Sequence, residues 1–192
     1  MRIASNASLQ AIRITGGSLK GRVCKTPKGA LPVRPAMGRM REAVFAVIGE
    51  SLVGKSFLDL FSGTASIAVE AASRGAGEVC LCEKDKDKAA QILMNVKITE
   101  AVGVRVQCHF IPVELFLKRC KRSFDFVFMD PPFAYRFKEQ LLEAAAGGII
   151  SQGGLLMIHH PSQERLSKTS GGLTLEDERK FGGSVVNFYR QS

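Results

Sequence analysis

No aspartate or glutamate occurs in the first 41 residues, although nine basic residues do: Arg2, Arg13, Lys20, Arg22, Lys25, Lys28, Arg34, Arg39 and Arg41. Residues 42–192 hold 18 bases and 18 acids, so the formal charge of +9 belongs to one end of the chain. A segregated basic stretch points to a polyanionic partner, and its competing explanation is a generic solvated tail. No uncharged apolar run approaches the roughly 18 residues of a membrane helix. Met1 to Ala11 lacks the continuous apolar stretch of a signal peptide, so the chain reads as cytoplasmic and without a membrane partner. The five cysteines, Cys24, Cys80, Cys82, Cys108 and Cys120, show neither C-x-x-C spacing nor histidines at ligand distance, and no metal is expected. Cys80 and Cys82, two apart in an apolar stretch, read as small core hydrophobes in a reducing compartment.

What is present suits a packed core: 45% of residues are hydrophobic and 23% charged. The basic segment is punctuated by Gly16, Gly17, Gly21, Pro27, Gly29, Pro32 and Pro35, and its alternating Ile12 and Ile14 predict one or two short strands. Met40, Val44, Val47 and Ile48 fall at helical spacing within Arg39 to Gly49. From there apolar runs alternate with helical stretches. Strands are predicted at Phe57–Phe61, Val79–Cys82, Val104–Phe110, Phe124–Met129 and Leu155–His159, with helices over Ala65–Ser73, Asp85–Ala101, Val113–Lys121 and Phe137–Ala146. Strands apolar on both faces and joined by helices predict an α/β fold, a mostly parallel sheet covered on both sides. The final pair, Leu173–Lys180 and Ser184–Arg190 around Gly182-Gly183, predicts an antiparallel edge hairpin. A boundary near Gly49 to Lys55 would divide a basic extension, residues 1–50, from residues 51–192.

In an open parallel sheet the ligand site lies beyond the carboxyl ends of the strands. The first strand ends in Asp59-Leu60-Phe61-Ser62-Gly63-Thr64, a small-residue turn opening a helix, where backbone can approach a ligand closely. Its spacing is not G-x-G-x-x-G, since Ala65 and Ile67 follow Gly63, which disfavours a nicotinamide dehydrogenase. After the second strand comes Glu83, an acid placed where nucleoside-binding sheets accept hydrogen bonds from ribose hydroxyls, with Asp85 close behind as a second candidate or an N-cap. The fourth strand runs into Asp130-Pro131-Pro132-Phe133. Two prolines fix the backbone and hold the carbonyls of Asp130 and Pro131 outwards beside the Asp130 carboxylate. Such acceptors suit an exocyclic amine, and Phe133 offers a face on which a base can stack. An Asp-Pro turn closing a strand would explain the tetrapeptide alone, but not its place downstream of a nucleoside-type acid.

These residues, with Ser73-Arg74-Gly75-Ala76, Glu83-Lys84-Asp85, Asn95, Arg34-Pro35 and Arg39 to Phe45, resemble the RsmD-type bacterial 16S ribosomal RNA guanine-N2 methyltransferases. The similarity runs from Ile12 to about Tyr189. It implies a Rossmann-like class I methyltransferase, doubly wound, that uses S-adenosylmethionine and carries a short basic N-terminal extension. It implies that Asp59, Phe61, Ser62, Gly63 and Thr64 line the cofactor, that Glu83, with Lys84 and Asp85, meets the ribose, and that Asp130, Pro131, Pro132 and Phe133 face the guanine amine. Ribosomal RNA or the small ribosomal subunit is then the expected partner of a monomer, with Arg22, Arg34, Arg39 and Arg41 against phosphates. The chain departs from the family pattern at Ala36, at Ala65 and at Ile111-Pro112, where a threonine, a glycine and an acid are usual. An amino methyltransferase acting on DNA adenine or cytosine would share Asp130 to Phe133, and a non-catalytic RNA-binding relative is the third reading.

Overall fold

The computed structural model describes residues 11–26 and 35–192. Strands β3 (Ser56–Leu60), β4 (Glu78–Cys82), β5 (Val106–His109), β6 (Phe124–Met129) and β7 (Ile150–Pro161) are parallel. They are followed by β8 (Thr169–Ser170), β9 (Leu173–Phe181) and β10 (Ser184–Gln191), which run antiparallel to their neighbours. The sheet order is β5-β4-β3-β6-β7-β10-β9-β8. From β3 the chain first moves outward through β4 to β5, then returns to lay β6 on the other side of β3. That reversal opens a crevice at the carboxyl ends of β3 and β6.

Side-chain alternation divides the core in two. Phe57, Val79, Leu81, Phe126 and Phe128 face one layer, which contains α1 (Pro35–Ile48), α2 (Ser66–Ser73) and α3 (Ala89–Val96). Leu58, Leu60, Cys80, Cys82, Val127 and Met129 face α4 (Val113–Arg119) and α5 (Lys138–Ala146) on the other side. Cys80 and Cys82 thus share one face among apolar side chains, and burial pushes both thiols, like that of Cys24, up to about 12.

The described part of the basic segment shares this core. β1 (Ala11–Arg13) and β2 (Val23–Lys25) pair antiparallel, and Ile12, Ile14, Leu19 and Cys24 are buried in the same cluster as Met40, Val44, Phe45 and Ile48 of α1. The turn between the strands rests on the end of α2: Ser18 N donates to Ser73 O at 2.8 Å, and a Cβ at Gly17 would lie 1.8 Å from that oxygen. Glycine is required there by close approach as well as by its φ of 73°.

Several elements differ from the expectation: α1 starts at Pro35 and not at Arg39, β5 is shorter at both ends, β8 is a short strand that the pattern does not predict, and two further differences have a clear physical cause. Asp85–Ala101 is not one helix: 3-10 turns at Lys86–Lys88 and Lys97–Val102 flank α3. Asp85 caps the first by accepting from Asp87 N, and Thr99 Oγ1 donates to the carbonyls of Val96 and Val104, competing with the helical ladder. β7 begins five residues before the predicted Leu155, because its pairing with β6 slips between Phe124 and Phe126 where Gly153 takes a φ of 72°. Among the described residues no helix is long and apolar enough to cross a membrane, and no group of His, Cys, Asp and Glu could hold a metal ion.

Candidate active site

The crevice is walled by three strand ends. After β3 the backbone turns sharply, with Phe61, Gly63 and Ala65 all at φ between 57° and 63°, and α2 starts at Ser66. Ala65 stands in the left-handed region that glycine occupies without cost. At Gly63 a Cβ would meet no atom nearer than 3.9 Å, so the turn leaves open space above its backbone. Ser62 Oγ is buried and has no hydrogen-bond partner. A buried hydroxyl without a partner is uncommon and calls for one.

Asp59 lies beneath this turn, 1% exposed, and its Oδ2 accepts from Ala68 N at 3.2 Å. Burial, with Asp130 and Glu83 as like charges nearby, holds its carboxyl well above the usual range despite that bond. Asp59 therefore supports the loop from below. Glu83, at the end of β4, crosses the crevice floor: Oε2 accepts from Gly63 N and Oε1 from Asp85 N, both at 2.9 Å. It is 6% exposed, and each oxygen keeps a free lone pair. Lys88 Nζ approaches both Glu83 and Asp85, at 3.7 and 3.4 Å, while Lys84 projects into solvent. Asn95 ties the turn to the N-terminal strands, donating to Thr64 O and Lys25 O while accepting from Lys25 N.

On the far side of β3, Asp130 follows β6 and its N–H reaches back to Leu60 O at 3.3 Å. Pro131 is buried, Pro132 and Phe133 are exposed. Two residues that the sequence reading did not select hold this loop. His159, near the end of β7, places Nδ1 2.8 Å from Asp130 Oδ1 and packs its ring 5.4 Å from that of Phe133. Lys138, at the start of α5, is 2% exposed; its Nζ donates to the carbonyls of Phe133 and Tyr135 and pairs with Glu164 at 2.9 Å. The search of strand ends extends naturally to β7 and would have reached His159; nothing in the sequence pattern marks Lys138. Beside the loop a cavity of about 370 Å³ is lined by Met37, Phe133, His159, Gln163 and the Gly182-Gly183 turn.

The four arginines expected on phosphates separate. Arg22 and Arg39 are exposed, and Arg34 lies outside the described residues. Arg41 is 7% exposed, donating to Arg13 O at 2.7 Å with its Nε 3.5 Å from Glu70 Oε2. Its charge is directed inwards, because the fully buried Glu70 requires a cation there.

Among known proteins, ribosomal RNA small subunit methyltransferase D of Escherichia coli K12 is 26% identical over 192 residues, spanning 100% of this chain and 96% of that protein. The solved structure of yhhF from Escherichia coli superposes with a TM-score of 0.81 at 26% identity, covering 95% of this chain and 98% of that one. SMU.776, solved in complex with S-adenosylhomocysteine, shares the fold at a TM-score of 0.69 and 20% identity, over 88% of this chain and 54% of its own. With the Rossmann-like sheet, the small-residue turn and the Asp-Pro-Pro-Phe loop in place, the chain belongs to the family described as conserved hypothetical protein 95, whose model matches residues 12–190, that of the RsmD-type methyltransferases.

Proposed function

We propose that this protein transfers a methyl group from S-adenosylmethionine to the exocyclic N2 amine of a guanine in small-subunit ribosomal RNA. The observation that carries the reading is the convergence of three acids, Asp59, Glu83 and Asp130, with an unpartnered Ser62 Oγ around the β3–β6 crevice. The residues there fit the cofactor. Gly63 leaves room for close approach, Ser62 Oγ lacks a partner, and Glu83 presents free lone pairs suited to ribose hydroxyls. When bound, S-adenosylmethionine supplies an electrophilic methyl group on a sulfonium.

The chain's own residues do the rest. With Oδ1 engaged by His159, the other carboxylate oxygen of Asp130 accepts a hydrogen of the amine, drawing its lone pair out of conjugation with the ring. Phe133, 38% exposed, offers its face to the base. As the N–C bond forms and the sulfur–methyl bond breaks, the nitrogen gains the positive charge that the sulfonium loses on becoming a neutral thioether, and the nearby carboxylate offsets it; one amine proton then leaves through Asp130 to water. Arg22 and Arg39 would meet phosphates, while the base enters the crevice from an unpaired or extruded nucleotide.

The test is transfer of tritiated methyl from S-adenosylmethionine to small-subunit RNA, free or as assembled particles, with DNA as the competing substrate. Digestion to nucleosides should yield labelled N2-methylguanosine. Label in DNA adenine or cytosine, or binding of RNA without transfer, would replace this reading with one of its rivals.

A further inference from the structure

We propose that His159 is a positioning residue for methyl transfer, fixing the Asp130 carboxylate and the Phe133 ring together from behind the loop. The inference rests on the reading of Asp130 as the acceptor for the target amine. One side chain touches both functional groups: Nδ1 is 2.8 Å from Asp130 Oδ1 and the ring meets Phe133 edge-on at 5.4 Å. The contact is built by the fold, since Met129 and Ile158 are paired in the parallel ladder and the next residue on each strand is Asp130 or His159. The Asp130 side chain is 29% exposed and His159 is 7%, so the imidazole holds the half of the carboxylate that faces the protein.

The tautomer follows from the surroundings. Were Nδ1 bare, its lone pair would face a carboxylate lone pair, so Nδ1 carries the hydrogen and donates it. In the neutral ring Nε2 is then an acceptor, and it is buried without a partner. Leaving a buried acceptor unpaired costs stability, which is the signature of a group retained for what its other nitrogen does. Such orientation matters because a free carboxylate rotates, while one fixed oxygen keeps the other aimed at the amine. Outer partners that orient metal ligands in this manner are worth about 10- to 100-fold.

The test compares three substitutions in the full chain. Asparagine places an N–H donor at the position of Nδ1, whereas glutamine places one near Nε2. His159→Ala and His159→Gln should lower kcat about 10- to 100-fold with little change in KM for RNA or S-adenosylmethionine, the pattern of an interaction made in the transition state. His159→Asn should restore most of the rate. Wild-type kcat in the alanine variant, or an asparagine variant as slow as alanine, would overturn the proposal; should the alanine variant fail to fold, the asparagine and glutamine pair still decides. Nitrogen-15 NMR of the imidazole needs no substrate: Nδ1–H in the wild type, lost in Asp130→Ala, is the expected signature, and an Nε2–H tautomer in the wild type would overturn it. If the wild type transfers no methyl group to RNA while this signature is present, the reading of the function fails and the pairing stands.

Discussion

Asp59 of β3 and Glu70 of α2 are both buried acids, and their surroundings could hardly differ more. Glu70 is 0% exposed and receives the N–H groups of Thr15 and Gly16, the Thr15 hydroxyl and Arg74 Nε, all within 3.2 Å, with Arg41 a further cation beside it. Asp59 is 1% exposed and receives one N–H, that of Ala68, with two other acids as its charged neighbours. Glu70 is a staple: it fastens the N-terminal strands to the sheet domain. Asp59 is kept at a cost, and it lies under the turn where a ligand would approach. Full satisfaction fits a structural acid, and a poorly satisfied, perturbed carboxyl beneath an open turn is a candidate for function.

The sharpest break of this comparison is Glu70→Ala. It leaves Arg41 buried and unpaired and strands the N–H groups of Thr15 and Gly16, so stability should fall by about 3–5 kcal/mol, on the order of 10 °C in Tm. A thermal scan showing less than a few degrees would mean the staple is dispensable. Asp130→Asn should be comparable in free energy but opposite in kind. It retains size and one acceptor while removing the negative charge, so kcat should drop by roughly 10²- to 10³-fold with Tm and S-adenosylmethionine affinity held. Calorimetry and single-turnover transfer on the same preparation separate the two effects, and an undiminished rate would remove Asp130 from the chemistry.

Asp59→Asn probes the other acid directly. A carboxyl whose pKa is raised by folding stays protonated in the native state at pH values where the unfolded chain has released its proton. Its contribution to stability is therefore complete below the ordinary carboxylate range and is lost as pH rises towards the elevated folded value. Asparagine cannot ionise and can still accept from Ala68 N. The variant should match or exceed the wild type in Tm at neutral pH, and its stability should depend less on pH from about 4 upwards. An identical pH profile would mean that Asp59 ionises as readily in the fold as out of it.

The sequence made the strand ends legible because each is a local event, an apolar run stopping at a polar residue, and β6 ends at Met129 as its pattern predicts. Asp130, Glu83 and the Ser62-Gly63 turn could be found on that basis. The supports of the site were not legible, since they depend on register and on distant pairing. His159 can be reached by extending the search to the end of β7, but its pairing with Asp130 depends on the register set by the slip of β7 against β6 around Gly153, which no periodicity reports. Lys138 reads as one more charge at a helix start, yet it is buried against two loop carbonyls and Glu164. Helix breaking at Thr99 was hidden for a similar reason, because its hydroxyl competes with the backbone only once Val104 is folded nearby. Charge counts have the same blindness: Arg39 and Arg41 are two apart in one basic run, and one faces solvent while the other faces Glu70.

That last pair gives the smallest and most discriminating test. If Arg22 and Arg39 contact phosphates, replacing both by glutamine removes two released counterions, and the slope of log binding constant against log salt should flatten by about 1.5. Tm should barely change, since both side chains are exposed. Arg41→Gln should reverse the pattern, lowering Tm because Glu70 loses a buried partner while leaving the salt slope as it was. The two variants carry charge changes of the same sign in the same segment, so a bulk electrostatic attraction would move the slope in proportion to charge removed, whichever arginine is chosen. A flattened slope in Arg41→Gln would therefore mean that the basic segment acts through its total charge, and an unaltered slope in the double variant would remove Arg22 and Arg39 from the RNA contact; the expected division would mean that the segment acts through the residues the fold leaves outside.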